Sequence, residues 1–223
     1  MYARNYACGE LNRAFESKAG THLDTHMTHI VMLSGWLKSG KDTVGEYLCR
    51  RYGFKRLAFA DALKDEVSAT YGIRRDLLDS QQGKDTRVES FPIREGSLAP
   101  TVRDVLIHHG QWRRSQDLDY WVRKVQPRPG DRIVITDWRF PNEFEVLSQR
   151  CTVETWRVER WATPPRTDPS EVALDSHRFD LTLKNTGPVA ELYSQIDAWL
   201  QRPDYRQNSC SVAVVRDAQS TPA

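Results

Sequence analysis

One segment constrains the fold more than any other: Gly35-Trp-Leu-Lys-Ser-Gly-Lys41 fits the pattern G-x-x-x-x-G-K. It follows the apolar run His29–Ser34 and precedes a helical pattern from Asp42 to Tyr52. A buried strand that passes through a glycine-rich turn into a helix is typical of a parallel, helix-covered sheet. Glycines let backbone N–H groups point into the turn, and the helix start adds positive potential, so the loop is suited to bind phosphate. The alternative is a glycine-rich turn with a chance lysine, but the flanking strand and helix argue against it.

Strand and helix patterns alternate along the rest of the chain. Further strands are predicted at 54–60, 131–136, 152–158 and 180–184, and helices at 61–71, 101–113, 117–125, 142–150 and 188–200. This alternation predicts an α/β fold, a P-loop NTPase fold with a mostly parallel sheet covered by helices. Residues 72–100 combine glycines, prolines and many charges, so they are predicted to form a mobile excursion from the core.

The length of 223 residues suits one folded domain with short appendages. We place the domain at 28–201, with a flexible extension at 1–27 and a disordered polar tail at 202–223. No apolar stretch approaches the ~20 residues that cross a bilayer, and the N-terminus lacks the apolar core of a secretory signal. The chain is therefore predicted to be cytoplasmic and to have no membrane partner.

Cysteine spacing and net charge narrow the possible ligands. The four cysteines lack C-x-x-C spacing, which favours free thiols over disulfides or a zinc site. The formal net charge of +2 is too small to indicate nucleic-acid binding by charge alone. The functional prediction therefore depends on the motifs.

The glycine-rich loop predicts ATP as the donor nucleotide, with Lys41 reaching its β- and γ-phosphates. Asp42 occupies the position where the motif has Ser or Thr for magnesium, and Thr43 comes one position later, as in adenylate-kinase-type loops. We therefore expect Thr43 to contact phosphate and Mg²⁺ to be held largely through water, near Asp42, with no direct protein ligand assigned. The predicted ATP-binding residues are Gly35, Lys38, Ser39, Gly40, Lys41, Asp42 and Thr43.

Other classes of P-loop protein fit the sequence less well. The guanine-reading motif N-K-x-D is absent. A motor ATPase normally carries an acidic pair after an apolar strand, whereas strand 131–136 is followed by a single Asp137 and then by Trp138 and Arg139. The pattern favours a small-molecule kinase, although the loop alone does not identify the acceptor.

Polar residues near the ends of the predicted strands are candidates for an acceptor site, because the carboxyl ends of parallel strands face one crevice. After the second strand, Asp61 is predicted to orient or deprotonate the acceptor, and Lys64 to neutralise an acceptor phosphate. The alternative is a helix-capping aspartate with a solvated lysine. Arg157 and Arg160 are suitably placed for a lid arginine that stabilises transition-state charge.

Two further groups of residues extend this candidate site. Arg103 and Arg114 belong to the helical segment after the excursion, where solvated helix-face arginines are the ordinary alternative. Asp137 and Arg139 are carried by a buried strand to the same crevice edge as the phosphate loop. A substrate pair with several phosphates needs many such cationic donors.

The motifs occur in one order: GWLKSGKDT (35–43), FADALK (59–64), VRDVLIHHGQWRR (102–114), DYWV (119–122), TDWRFPNE (136–143), DPSE (168–171) and NTG (185–187). From about Thr28 to Leu200, the chain resembles the deoxynucleoside monophosphate kinases of tailed bacteriophages. The resemblance implies a nucleoside-monophosphate-kinase-like P-loop fold, use of ATP and Mg²⁺, and phosphorylation of a deoxynucleoside monophosphate to the diphosphate.

The resemblance also assigns roles by position. Residues 72–126 would form an acceptor-side insertion, and 157–178 a lid-like segment that contains the pair Ser170-Glu171. Trp138 stands where the family more often has a small aliphatic residue. The predicted catalytic residues are Lys41, Asp61 and Arg160, and the predicted acceptor-binding residues are Lys64, Arg103, Arg114, Asp137, Trp138 and Arg139.

Two alternatives stay open at this point. A related phage group phosphorylates 5-hydroxymethyluracil bases within DNA, and tryptophans interleaved with arginines would suit stacking on an extruded base. These tryptophans are Trp36, Trp112, Trp121, Trp138, Trp156 and Trp161. A protein that binds a nucleotide without catalysis is the other alternative. The sequence does not indicate an oligomeric state.

Overall fold

The computed structural model describes residues 28–88, 99–160 and 169–203. The predicted extension 1–27 and almost all of the predicted tail lie outside these ranges. The described strands are β1 His29–Ser34, β2 Lys55–Leu57, β3 Arg132–Ile135, β4 Thr152–Glu159 and β5 Leu181–Lys184. The described helices are α1 Lys41–Tyr52, α2 Phe59–Tyr71, α3 Arg75–Asp79, α4 Gln81–Lys84, α5 Val102–Gln116, α6 Tyr120–Lys124, α7 Pro141–Ser148, α8 Pro169–Val172 and α9 Val189–Leu200.

The strands form one sheet in the order β2-β3-β1-β4-β5, and every neighbouring pair is parallel. Side chains of the central strand β1 alternate between two cores. Val31 and Leu33 pack with residues of α1 and α9 on one face. Ile30 and Met32 pack with residues of α2, α6 and α7 on the other face. Because both faces of the sheet are covered by helices, the predicted α/β fold is confirmed.

The predicted strand 54–60 is wrong at its C-terminal end. Only Lys55–Leu57 is a strand, and α2 already begins at Phe59. The carboxylate of Asp137, which follows β3, accepts the backbone N–H groups of Phe59 and Ala60 at 3.1 and 2.8 Å. These bonds satisfy donors that a helix N-terminus otherwise leaves unpaired, so a tertiary contact fixes the start of the helix.

The prediction of a mobile excursion is wrong for residues 75–84, which form α3 and α4. Leu78 is fully buried and packs with Val67 of α2 and with Val102 and Val105 of α5. The hydroxyl of Ser80 caps α4 by accepting the N–H of Gly83 at 2.9 Å. A small core of its own therefore holds this part of the chain against α2 and α5, while residues 89–98 lie outside the described ranges.

Helix α5 begins after Thr101, as predicted, and extends to Gln116. Thr101 and Asp104 form a reciprocal capping box, in which the Thr101 hydroxyl accepts the N–H of Asp104 at 3.2 Å. No helix within the described ranges combines the length and the apolar character needed to span a bilayer.

Candidate active site

The loop between β1 and α1 has a backbone shape that depends on its glycines. Gly35 and Gly40 have φ angles of 148° and 111°, a region that favours glycine. A Cβ at Gly35 would lie 2.5 Å from the carbonyl oxygen of Val158, and one at Gly40 would collide with the side-chain amide of Asn185. Lys38, with φ of 62°, is left-handed as well. The loop thus passes close to β4 and to the end of β5.

Asn185 clamps the phosphate loop from the end of β5. Its side-chain N–H donates to the carbonyl of Ser39 at 2.7 Å, and its own backbone N–H donates to Glu159 at 2.7 Å. This bond fixes the Ser39 carbonyl against the end of β5 and so helps to hold the shape of the loop. The Ser39 hydroxyl is buried and has no hydrogen-bond partner among the described residues.

Lys41 is the first residue of α1, and its ammonium group donates to the carbonyls of Gly35 and Trp36 at 2.5 and 3.0 Å. The helix has no side-chain cap at its N-terminus. The glycine cradle, the unpaired Ser39 hydroxyl, the uncapped N–H groups and this lysine all suit the phosphates of a nucleoside triphosphate.

Few of the described residues near the phosphate loop could bind a magnesium ion. Asp42 is exposed and Thr43 is half-buried, both in the first turn of α1. Among the described residues, no cluster of His, Cys, Asp and Glu is of the size that would hold a metal by itself. Asp42 and Thr43 fit an ion that is bound together with the nucleotide phosphates, because Mg²⁺ commonly keeps several waters and takes few protein ligands.

The predicted acceptor residues Asp61 and Lys64 lie in the first turns of α2, in a dense group of charges. The Lys64 ammonium is 2.9 Å from Asp79 and 3.7 Å from Asp61. Asp61 also lies 3.4 Å from Arg75 and 3.5 Å from Arg56. Sequence reasoning missed both arginines, because Arg75 reaches Asp61 only through the folding of α3 against α2.

Arg103 on α5 reaches the two ends of α4. Its guanidinium lies 3.3 Å from the side-chain oxygen of Gln81 and 3.0 Å from the carboxylate of Asp85. Lys84, the last residue of α4, is half-buried among exposed neighbours and was also missed. Lys64 and Arg103 are thus brought to the same α3–α4 segment from two different helices.

Arg114 is placed differently from the prediction of an acceptor ligand. It hydrogen-bonds to Leu118 and to Asn142 at 3.3 Å each, and its guanidinium stacks 3.9 Å from the centre of the Phe140 ring. These contacts join α5 to α7. The described partners of Arg114 give it a structural role, and its predicted role in acceptor binding stays a prediction.

The three residues Asp137, Trp138 and Arg139, which follow β3 after Thr136, point in different directions. Asp137 is turned to the start of α2, as described above, and Arg139 donates to the Ser170 hydroxyl of α8 at 3.2 Å. Trp138 is only 2% exposed and packs edge-on against His177 and Phe179. The Trp138 side chain is thus part of the core between its two polar neighbours, and its predicted contact with the acceptor stays a prediction.

Glu143, in the first turn of α7, is a buried carboxylate. Its Oε2 accepts the backbone N–H groups of Arg139 and Phe140 at 3.0 Å each. Burial raises the pKa of Glu143 to about 7, although these two hydrogen bonds act in the opposite direction.

This pKa predicts how stability depends on pH. Since the folded state holds a proton on Glu143 that the unfolded state loses near its ordinary pKa of 4.5, the contribution of Glu143 to stability falls as pH rises from about 4.5 to 7. Glu143→Gln keeps an acceptor oxygen and removes the titration. Urea unfolding across this pH range should therefore give a flatter stability profile for Glu143→Gln than for the wild type; identical slopes would contradict the assignment.

Two arginines connect the phosphate loop to the segment that follows β4. Arg160 donates to the carbonyl of Lys38 at 3.4 Å. Arg157 is buried and contacts Ser34 at 3.2 Å and Asp175 at 2.5 Å. Asp175 also accepts the indole N–H of Trp36 at 3.3 Å. Arg157 is therefore a structural link, whereas Arg160 lies at the loop itself, and residues 161–168 lie outside the described ranges.

The fold and the site together define a P-loop protein of the kinase type. The central strand β1 leads into a glycine-rich phosphate loop, and a second group of charged residues lies at the same, C-terminal, ends of the parallel strands. A scan against models of known protein families found no match. Over 185 residues the chain is 28% identical to a protein of Acanthamoeba polyphaga mimivirus named "Putative deoxynucleotide monophosphate kinase", covering 75% of this chain and 93% of that protein. It is 24% identical over 196 residues to "Uncharacterized protein ORF76" of Ictalurid herpesvirus 1 (strain Auburn), covering 81% of this chain and 70% of that protein.

A comparison with solved structures found, among others, two kinases at low TM-scores. A gluconokinase from Sinorhizobium meliloti 1021 matches 78% of this chain and 93% of its own length, with 13% identity and a TM-score of 0.41. A shikimate kinase from Aquifex aeolicus matches 77% of this chain and 96% of its own length, with 14% identity and a TM-score of 0.42. Neither similarity identifies a substrate for this chain.

Proposed function

We propose that this protein is an ATP-dependent kinase that phosphorylates a deoxynucleoside monophosphate to the diphosphate. The observation that carries the proposal is that two charged groups of residues lie at the C-terminal ends of the same parallel sheet. The phosphate loop follows β1, and the group around Asp61 and Lys64 follows β2, two strand positions away. Two strand spacings amount to about 10 Å, so a triphosphate that extends from the loop and an acceptor held at the start of α2 can meet in the crevice between the two groups.

The name of the mimivirus relative supports a nucleotide as the acceptor, and the alignment covers most of both chains. The motifs shared with the phage deoxynucleoside monophosphate kinases point in the same direction. Several tryptophans that would favour a base in DNA are core residues: Trp121, Trp138 and Trp156 are at most 5% exposed. A free monophosphate is therefore the better supported acceptor.

Different residues of this chain bind the donor, bind the acceptor and stabilise charge on the transferred group. Backbone N–H groups of the loop and Lys41 bind and orient the triphosphate, and Arg160 is placed to stabilise charge that develops on the transferred group. Lys64 and Arg103 attract the acceptor phosphate, and Asp61 orients its attacking oxygen. Mg²⁺ bound near Asp42 and Thr43 would neutralise charge on the β- and γ-phosphate oxygens. Phosphoryl transfer needs positioning and charge stabilisation more than proton abstraction.

A transfer assay with labelled ATP tests the proposal. Free dTMP, dGMP and hydroxymethyl-dUMP are offered in separate reactions, alongside duplex DNA that contains 5-hydroxymethyluracil. We expect label in at least one free nucleotide and none in DNA. Label only in DNA would replace the proposal with a DNA base kinase, and ATP binding without transfer to any of these acceptors would indicate a non-catalytic nucleotide-binding protein.

A further inference from the structure

Lys84 has an unusual environment for a lysine at the end of a short helix. It is half-buried, whereas Gln81, Gln82 and Asp85 beside it are exposed. Gly83, immediately before it, is buried against the backbone of Leu77, which holds the end of α4 close to α3. Among the described residues, the Lys84 ammonium makes no hydrogen bond and no ion pair.

Two carboxylates of the α3–α4 segment already have other partners. Asp79 pairs with Lys64 at 2.9 Å, and Asp85 pairs with Arg103 at 3.0 Å. Asp42, in the first turn of α1, is close enough for its charge to act on Lys84, but it lies beyond ion-pair distance. The ammonium of Lys84 is therefore a partly desolvated cation whose N–H donors have no partner among the described residues. It lies close enough to the first turn of α1 to feel the charge of Asp42.

Two more cations, Lys64 and Arg103, make it less favourable for Lys84 to carry its positive charge. Burial lowers the pKa of Lys84, and the positive charges of Lys64 and Arg103 lower it further, while Asp79 and Asp42 act in the opposite direction. Asp79 and Asp85 offset the charges of Lys64 and Arg103, whereas the Lys84 ammonium has no ion-pair partner among the described residues, so an anion at this point would relieve the repulsion. A phosphate dianion is small enough to accept hydrogen bonds from several of them at once.

We propose that Lys84 binds the phosphate group of the acceptor, together with Lys64 and Arg103. This inference rests on the proposed function and deepens it, because it places the acceptor phosphate between α2, α4 and α5, on the side of the first turn of α1. The α3–α4 segment then contributes Lys84 to the acceptor-phosphate site, which the phosphate loop and α2 do not form by themselves.

Steady-state kinetics of Lys84→Gln test this role. The KM for the deoxynucleoside monophosphate that reacts fastest should rise by about 10-fold or more, as expected for loss of a charge-assisted hydrogen bond, whereas the KM for ATP should stay within about 2-fold. Lys84→Arg should restore most of the affinity because it keeps the charge. Lys184→Gln is the matched control, since Lys184 lies on the far edge strand β5 and pairs with Glu159.

Binding of inorganic phosphate separates this inference from the proposed function. The protein is first saturated with a non-hydrolysable ATP analogue, so that the phosphate loop is occupied, and phosphate is then titrated by calorimetry. If no monophosphate is phosphorylated but Lys84→Gln loses phosphate affinity, the anion site stands and the proposed acceptor is wrong. If Lys84→Gln binds phosphate and monophosphate as the wild type does, or if the wild type binds neither, the role of Lys84 is overturned.

Discussion

Replacing Lys41 with alanine is expected to reduce phosphoryl transfer by about 10³-fold while leaving the protein folded. Lys41 is the residue of the loop whose charge can follow the β- and γ-phosphates as negative charge builds up between donor and acceptor. Its present bonds to the Gly35 and Trp36 carbonyls show that the ammonium lies within the loop. The loss should therefore appear mainly in kcat, with a smaller effect on nucleotide binding through the remaining N–H groups.

The fold should tolerate this change for two reasons. A positive charge in the first turn of a helix opposes the helix dipole, and alanine has the highest helix propensity. Lys184→Ala removes an exposed lysine from β5 and provides the matched control. The measurements are kcat and KM together with the melting temperature of each variant. Activity of Lys41→Ala within 10-fold of the wild type would remove the loop from the proposed mechanism.

Replacing Asp137 with alanine is expected to destabilise the protein by about 3 kcal/mol, the second large effect. The carboxylate accepts two backbone N–H groups at the start of α2, and its removal leaves both donors buried without a partner. Burial raises the pKa of Asp137, while these same bonds favour the charged form. Asp137→Asn should be intermediate because an amide oxygen keeps one acceptor.

Urea unfolding of both variants measures this effect. Asp76→Ala is the control, because Asp76 is exposed and, among the described residues, pairs only with the exposed Arg74. Its loss should therefore change stability by less than about 0.5 kcal/mol. Since α2 carries Asp61 and Lys64, Asp137→Ala should also weaken acceptor binding. A loss of stability below about 1 kcal/mol would show that the start of α2 does not depend on this carboxylate.

The phosphate loop could be predicted from sequence because its determinants are local. Gly35, Gly40 and Lys41 occupy fixed positions between a strand and a helix, and the positive φ angles of the two glycines match that expectation. The central strands were predictable for the same reason, since buried parallel strands appear as continuous apolar runs. The clamp by Asn185 was not, because it depends on the position of β5 beside the loop.

The second site was only partly predictable. Asp61 and Lys64 follow a strand, which is a local signal, whereas Lys84 and Arg75 reach the same region only after α3 and α4 fold on a small core around Leu78. The burial of Trp138 could not be predicted from its polar neighbours Asp137 and Arg139. It depends on packing against His177 and Phe179, which lie far along the chain.

The clamp between Asn185 and Ser39 joins positions that are 146 residues apart. Asp197 of α9 similarly accepts hydrogen bonds from Tyr47 and Tyr52 of α1, at 2.8 and 2.6 Å. At a translation rate of about 5–20 residues per second, the ribosome needs roughly 7–30 s to travel from Ser39 to Asn185. The nascent chain therefore carries its glycine-rich loop for several seconds before Asn185 is synthesised and can form the hydrogen bond that clamps the loop.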